Sequence, residues 1–258
     1  MNDSPGGDRG AGRAAASTDP SASSGPGATD RGLFGLVWGL LRLLFVLVLL
    51  AGLAIAGALL APGLVDELVE ERSPIETEDP PPTGDHDPEV THPGDPGNGS
   101  YDGERATIET ADVEAFVHHE VNEVRAEHDL EPIEWDGTVA SVSRAHSVDM
   151  SERDYFAHTN PDGEDPMDRF REVADYCRGY GENIAMTWAD REVQSDGGDT
   201  VGPYETAEAV AEGLVGQWMD SPDHREAILD EDWDRGGVGV YLTDDGQVFA
   251  THNFCTEW

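Results

Sequence analysis

The sequence predicts a layered α+β domain in its C-terminal part, on the basis of two patterns of apolar residues. Between residues 111 and 229, apolar side chains recur every three or four positions, which is the spacing of helices buried along one face. After residue 237 they alternate with other residues, which is typical of β-strands. Helices followed by strands, each with an apolar face, are expected to pack against one another in layers.

Five helices are predicted before the strands, most of them with a recognisable start signal. They cover residues 111–129, 136–150, 165–173, 206–218 and 221–229. Asp136, Asp165 and Thr206 are suited to cap their helices, because a side-chain oxygen can accept a hydrogen bond from a free backbone N–H of the first turn. Pro166 and Pro222 fit the first helical position, where no backbone N–H is needed.

A β-hairpin is predicted at the C-terminus. Apolar residues alternate over residues 238–242 and again over 248–254. Asp245 and Gly246 lie between the two runs, and this dipeptide is typical of tight hairpin turns. The two runs are therefore expected to form an antiparallel pair of strands.

The first 104 residues do not read as globular, apart from one apolar run. Residues 1–32 are rich in Gly, Ala, Ser, Asp and Pro and lack apolar periodicity, so we predict a disordered cytoplasmic leader. Residues 63–104 are acidic and rich in Pro and Gly, which predicts an extended linker. The folded domain is therefore expected at residues 105–258, a length that suffices for one ordinary core.

Between the leader and the linker, residues 33–62 are predicted to form a single transmembrane helix. Leu43 to Ala61 are 19 consecutive residues without a charge. As a helix they would span about 28 Å, close to the thickness of the hydrocarbon core of a bilayer. Four arginines precede this run and acidic residues follow it. The positive-inside rule then places the N-terminus in the cytoplasm and the C-terminal domain outside the cell.

A cleaved signal peptide is the alternative interpretation of this run, with Ala56-Gly57-Ala58 as a small-residue cleavage site. The leader of 32 residues and the apolar run of 19 residues are both long for a signal peptide, which favours an uncleaved signal anchor. Both interpretations predict an extracellular domain, and the anchor adds attachment to the cell membrane.

The chain is strongly acidic, with 54 Asp and Glu against 15 bases and a formal net charge of -39. All of these bases are Arg. Such a surface repels itself in dilute salt, whereas molar salt shortens the Debye length to about 3 Å and screens the repulsion. We therefore predict a halophilic protein. Because the sequence has no basic patch, nucleic acid is not expected as a partner.

Cys177 and Cys255 are the two cysteines of the chain. An extracellular location permits a disulfide, and an even number of cysteines favours one. This bond would join the segment before Gly181 to the last strand and would constrain the unfolded chain. The alternative is two unpaired thiols in the core.

Several short motifs occur in order along the predicted domain. They are Asn122-x-x-Arg125, Leu130-x-Pro132-Ile133-x-Trp135-Asp136, Ala145-His146-Ser147-x-Asp149-Met150, Tyr155-Phe156-x-His158, Gly181-Glu182-Asn183 and Ser221-Pro222-x-His224-Arg225. In this order, over residues 112–256, the sequence resembles the CAP superfamily of cysteine-rich secretory proteins, antigen 5 and pathogenesis-related class 1 proteins, also called SCP domains. The last motif resembles the prokaryotic branch. The resemblance implies a three-layer α-β-α sandwich with a small central antiparallel sheet.

The resemblance also implies a cleft lined by two histidines and two glutamates, which holds a divalent metal in some members. Carried over by motif, the residues here are His158, Glu182 and His224. The second glutamate of the family falls on Ser221, beside Asp220, so the set of four is incomplete. A metal such as Zn²⁺ would be bound by His158 and His224, because neutral imidazoles suit such ions.

Other histidines of the domain are expected away from this cleft. His146 lies on the apolar side of the second helix and is expected in the core. His118 and His119 are expected at the surface or an edge. His252 shares a strand face with apolar residues and is the one further histidine that could approach the cleft, from the sheet.

The sequence leaves three functions open. A binding or interaction module for a small ligand, a lipid or a metal is favoured, because the missing glutamate weakens a catalytic site. One alternative is a metal-dependent hydrolase of the peptidase type, in which Glu182 would polarise a metal-bound water. The other is a structural protein of the cell envelope. The expected partners are the membrane, through residues 33–62, and a lipid, small ligand or cell-envelope component.

Overall fold

The computed structural model of the protein describes residues 30–60, 74–83, 88–194, 198 and 200–258. The chain divides into two units, Met1–Glu67 and Leu68–Trp258. In the first unit, helix α1 covers Asp30–Leu60, and its side chains are described over residues 38–53 and at 55. No helix in the described part of the chain is long and apolar enough to cross a membrane. The structure therefore does not support the transmembrane helix predicted at residues 33–62, and residues 1–29 of the predicted leader lie outside the described residues.

The described residues of the second unit form five helices and eight strands. The helices are α2 (Thr110–Glu127), α3 (Gly137–Glu152), α4 (Pro166–Arg171), α5 (Ala207–Asp220) and α6 (Pro222–Ile228). The strands are β1 (Ser100–Asp102), β2 (Thr107–Glu109), β3 (Glu134–Trp135), β4 (Cys177–Trp188), β5 (Val193–Gln194), β6 (Thr200–Val201), β7 (Arg235–Leu242) and β8 (Gln247–Glu257). The predicted α+β class and all five predicted helices are confirmed.

The helix starts follow from capping side chains, as predicted. Asp136 accepts a hydrogen bond from the backbone nitrogen of Val139 at 3.0 Å, and Thr206 accepts one from Ala209 at 3.1 Å. Asp165 caps α4 by accepting from the backbone nitrogen of Asp168, whose side chain accepts in return from the backbone of Asp165. Each cap satisfies a donor that the helix itself leaves free.

Four strands form the central sheet in the order β3-β7-β8-β4. β7 and β8 are antiparallel, which confirms the hairpin, and Gly246 in its turn has a φ of +85° that favours glycine. β4 pairs antiparallel with the other side of β8 and is the longest strand, with 12 residues. It was not predicted, because its two glycines, Gly179 and Gly181, interrupt the apolar alternation.

Helices cover both faces of this sheet. Gly237 and Gly239 of β7 face α3 so closely that a Cβ on Gly239 would overlap the helix backbone. Neighbouring strand residues point to opposite faces. Val238 and Val240 accordingly lie in the main core cluster, which they share with residues of α2 and α5. The glycines thus allow α3 to approach the sheet, and the valines bury its other face.

The predicted disulfide between Cys177 and Cys255 is confirmed. The two residues lie at the start of β4 and near the end of β8, with a Cα–Cα distance of 5.5 Å and a sequence separation of 78. Both are buried in a small apolar cluster with Val139, Val142 and Phe170. The bond therefore fixes the end of the chain to the strand that carries Glu182.

Part of the predicted linker is bound to the domain. We call residues 88–102 the N-terminal strap. In the strap, the backbone nitrogens of Val90 and His92 donate to the hydroxyls of Thr138 and Ser141 on α3, at 3.2 and 2.8 Å. The C-terminal portion of the linker thus follows α3, while residues 63–73 and 84–87 of it lie outside the described residues.

Arg144 of α3 joins the strap to the core. Its Nε and Nη2 donate to the two carboxylate oxygens of Glu114 on α2 at 2.8 and 2.6 Å. Its Nη1 donates to both oxygens of Asp95 in the strap at 3.1 and 2.9 Å. Glu114 is fully buried and also accepts from the backbone nitrogen of Val240 at 2.8 Å. Burial raises the pKa of Glu114, and the hydrogen bonds from Arg144 oppose the rise.

Candidate functional site

The position of Glu182 is fixed by strand pairing and by an aromatic ring. Glu182 lies in the middle of β4, opposite Asn253 of β8. The preceding Gly181 leaves room for Trp233, because a Cβ at residue 181 would lie 2.8 Å from that ring. The glycine of the Gly181-Glu182-Asn183 motif is therefore required by packing, and the strand holds the backbone of the glutamate rigidly.

Both carboxylate oxygens of Glu182 are engaged. Oε1 lies 2.9 Å from Nδ1 of His158, and Oε2 accepts from Nη2 of Arg169 at 2.6 Å. Nε2 of His146 lies 3.7 Å from the same Oε1. The Glu182 side chain is only 1% exposed. A carboxylate so enclosed orients its neighbours, and its burial leaves it little access to a water molecule or a substrate.

Arg169 organises this corner of the domain, and sequence reasoning missed it. It lies on α4, which the capping residues Asp165 and Pro166 start, and its side chain is almost fully buried. Besides Glu182, its Nη1 donates to the backbone carbonyls of His158 and Glu164 at 2.8 and 3.1 Å. The arginine thus fixes both the carboxylate and the loop that carries His158. The short helix carries two arginines, Arg169 and Arg171, and the sequence gave no sign of which would bind the carboxylate.

His158 presents an oriented imidazole to solvent. A carboxylate only accepts hydrogen bonds, so the contact with Glu182 places the ring proton on Nδ1. In this tautomer Nε2 carries the lone pair, and no described residue makes a hydrogen bond to it. The side chain is 49% exposed. His158 can therefore accept a hydrogen bond from a ligand in solution, and the direction of that bond is set by Glu182.

His224 reaches the same region from α6. Its carbonyl accepts from the side-chain nitrogen of Asn183, the neighbour of Glu182, at 2.9 Å. Burial lowers the pKa of His224, and the proximity of His158 lowers it further. The far end of α6 is held by Arg125, which donates to the carbonyls of Ile228 and Asp230 at 2.7 and 2.8 Å. The structure thus places His158 against Glu182, and the backbone of His224 against the neighbouring Asn183.

His146 lies directly behind Glu182. As predicted it is buried, with 1% exposure, and its Nε2 donates to the carbonyl of Ala157 at 3.2 Å. Burial lowers its pKa to about 4, against the opposing effect of Glu182. Tyr155 lies 3.4 Å from its Nδ1 and donates to Asp149. A neutral histidine therefore lies against the carboxylate on its buried side. The sequence predicted a core histidine at this position but not its contact with Glu182.

Two further histidines depart from expectation. His118 was expected at the surface or an edge and is buried instead, with its Nε2 3.2 Å from the side-chain nitrogen of Asn122. His252 is fully buried against Trp218 and Phe254, so it lies in the core and not in an open cleft. His119, in contrast, is exposed as expected. The buried face of α2 includes residue 118, whereas the spacing of apolar residues in the sequence had placed this residue outside that face.

The residues present do not fit a catalytic zinc. Such a site uses three protein ligands. Among the residues that the structure describes, no group of three His, Cys, Asp or Glu side chains is arranged to hold a metal ion. Glu182 is engaged by the Arg169 guanidinium, whose positive charge disfavours a nearby cation. The residue at the position of the second glutamate is Ser221, which caps the junction of α5 and α6 without a side-chain hydrogen bond to the helix.

Comparison with known proteins gives one family. The sequence model of the cysteine-rich secretory protein family (CAP) matches residues 118–256 of this chain. Among relatives, an uncharacterized membrane protein of Bacillus subtilis, YlbC, is 34% identical over 137 residues, which cover 53% of this chain and 32% of the relative. A second protein of that bacterium, YkwD, is 29% identical over 118 residues, covering 46% of this chain and 38% of the relative. This chain thus spans about a third of the length of these relatives.

Two of the solved structures with similar chains come from Borrelia burgdorferi and Bacillus anthracis. An outer surface protein of Borrelia burgdorferi is 21% identical, with a TM-score of 0.48, and the likeness covers 58% of this chain and 96% of that one. An extracellular protein of Bacillus anthracis that contains an SCP domain is 28% identical, with a TM-score of 0.43, covering 57% of this chain and 41% of that one.

Proposed function

This chain belongs to the cysteine-rich secretory protein (CAP) family, and on that premise we propose that it is an extracellular binding or interaction module. The ligand would contact the exposed edge of His158 beside His224. A small molecule or a lipid head group that carries a hydroxyl, amide or ammonium group suits the free lone pair on Nε2, since each can donate a hydrogen bond to it.

The observation that carries this proposal is the burial of Glu182 together with its ion pair to Arg169. In hydrolysis, the carboxylate would have to accept a proton from an attacking water. Here Oε1 is bonded to His158 and Oε2 to Arg169, and the side chain is 1% exposed. The buried guanidinium favours the charged form of this carboxylate, which makes it a weak base for activating a water. The same contacts serve binding well, because a pre-oriented imidazole loses little freedom when a ligand arrives.

An extracellular location is supported by three observations. Arginines precede the apolar run and acids follow it; the chain forms a disulfide, which persists in oxidising compartments; and the relative YlbC is described as a membrane protein. Attachment to the membrane through residues 33–62, and adaptation to a high-salt medium, remain predictions from the sequence.

The test identifies the molecules that remain bound to the purified full-length chain. The protein is isolated in molar salt with mild detergent, and its bound small molecules and lipids are extracted and identified by mass spectrometry. His158→Ala is compared with His128→Ala, an exposed histidine at the end of α2. We expect the wild type and His128→Ala to retain the same molecule and His158→Ala to lose it.

Two results would contradict the proposal. One is a wild-type protein that retains no small molecule or lipid and recovers none from a cell extract. The other is turnover of a peptide or ester library that Glu182→Gln abolishes, which would show that the carboxylate acts in catalysis. Retention of the ligand by His158→Ala would show that the binding site lies elsewhere.

A further inference from the structure

The N-terminal strap contains an exposed acceptor triplet for a sugar, Asn98-Gly99-Ser100. All three residues are exposed. The Asn98 side-chain amide makes no hydrogen bond to any described residue. An Asn-x-Ser triplet on the surface of an exported protein is the acceptor pattern for N-linked sugar. Its amide nitrogen is therefore free to react, and no contact within the domain would be lost if it did.

The backbone around Asn98 is fixed on both sides. Before it, Gly97 donates to the side chain of Asp95 at 2.8 Å and has a φ of +80°, which turns the chain. After it, the Gly99 nitrogen donates to the Thr110 hydroxyl at 2.9 Å, and the Gly99 carbonyl accepts from the Thr110 nitrogen at 3.0 Å. Ser100 then begins β1. Asn98 thus lies at a defined surface position between two anchored segments.

The sequence supplies an internal comparison. A second triplet of the same kind, Asn2-Asp3-Ser4, precedes the apolar run at residues 33–62, whereas Asn98 follows it. The other four asparagines, Asn122, Asn160, Asn183 and Asn253, are not followed by Ser or Thr at the second position. Asn98 lies in the folded domain for which an extracellular location is proposed, whereas Asn2 lies before the apolar run.

We propose that Asn98 is an N-glycosylation site and that the sugar covers the outer side of the strap. This inference rests on the extracellular location proposed above. The co-reactant is a glycosyl phosphate carried on a lipid. A bond forms between Nδ2 of Asn98 and the anomeric carbon of the sugar, and the bond from that carbon to the phosphate oxygen breaks. The amide nitrogen loses one proton, and the lipid phosphate leaves with the electron pair.

The position has a physical consequence for the strap. Asn98 lies three residues from Asp95, which binds Arg144 of the core. A bulky hydrated sugar at this point would shield the strap from proteases.

The experiment expresses the full-length chain in a host that glycosylates exported proteins, as verified with a reporter glycoprotein. Peptides containing residue 98 or residue 2 are analysed by mass spectrometry. The variants are Asn98→Gln and Ser100→Ala, which destroy the triplet, Ser100→Thr, which preserves it, and Asn2→Gln. A label that cannot cross membranes reports separately whether the C-terminal domain is outside intact cells.

We expect a sugar mass on residue 98 in the wild type, Ser100→Thr and Asn2→Gln, and its complete loss in Asn98→Gln and Ser100→Ala. An unmodified Asn98 in a domain that the label reaches would overturn the sugar site and leave the extracellular location intact. An unmodified Asn98 in a domain that the label does not reach would overturn both proposals, as would a sugar on Asn2 alone.

Discussion

Replacing Arg144 with alanine would leave the buried Glu114 carboxylate without its counter-charge. The change removes two hydrogen bonds to Glu114 and two to Asp95. Removing one partner of a buried ion pair costs about 3–5 kcal/mol, because the remaining charge is left uncompensated away from water. In a domain of this size, each kcal/mol corresponds to about 2–4 °C in Tm, so we expect Tm to fall by about 6–20 °C.

Urea unfolding followed by near-UV circular dichroism, with the disulfide intact and in molar salt, measures this loss. Stability alone is affected if the midpoint falls and the slope is unchanged. Arg153→Ala is the matched control, because this exposed arginine also contacts two carboxylates, Asp149 and Asp162, but in solvent. Its removal should leave the midpoint nearly unchanged.

A double variant separates the two contributions to the loss. Glu114→Leu with Arg144→Met removes the buried Glu114–Arg144 pair and should recover part of the stability lost in Arg144→Ala. The recovery should be incomplete, because the Val240 N–H loses its acceptor and the Asp95 side chain, 2% exposed, loses its counter-charge. A loss below about 1 kcal/mol for Arg144→Ala, or a double variant no more stable than the single one, would refute the reasoning.

Three other perturbations test the fold and the site. Burial holds the pKa of His146 at about 4, below its ordinary 6.5. The contribution of neutral His146 to the free energy of unfolding should therefore be fully present above pH 6.5. Below this pH the free energy of unfolding should fall by about 1.4 kcal/mol per pH unit, or about 3 kcal/mol by pH 4. His146→Gln should reduce the accompanying fall in the urea midpoint. Replacing Cys177 and Cys255 with serine should cost about 2–5 kcal/mol in the same assay, and an unchanged midpoint would contradict this. Gly239→Ala should cost more than about 3 kcal/mol because its Cβ meets the backbone of α3. Gly216→Ala, with no atom within 4 Å of the added Cβ, should instead stabilise α5 by up to about 1 kcal/mol.

Features determined by near neighbours in sequence were predictable. The caps at Asp136, Asp165 and Thr206 need only a few following residues. The hairpin turn at Gly246 likewise follows from one dipeptide and its flanks. In these places local propensity and the final packing agree, so a pattern read along the chain gives the right element.

Features determined by distant contacts were not predictable. β4 is a strand because it pairs with β8, and its own residues give little sign of it. The contact of Arg169 with Glu182 depends on how α4 lies against that strand, which no spacing rule specifies. The family resemblance identified His158, Glu182 and His224. It could not show that the carboxylate is buried and paired with Arg169, because that is a property of the geometry.

The bond from Arg144 to Asp95 also bears on where this domain can be cut or fused. The family match begins at residue 118, yet both acids that neutralise this arginine, Glu114 and Asp95, stand earlier in the chain. A chimaera that transplants only the matched stretch would carry a buried cation without either of its counter-charges. Truncations and fusions that keep the domain stable should therefore be made before residue 88, where the strap begins.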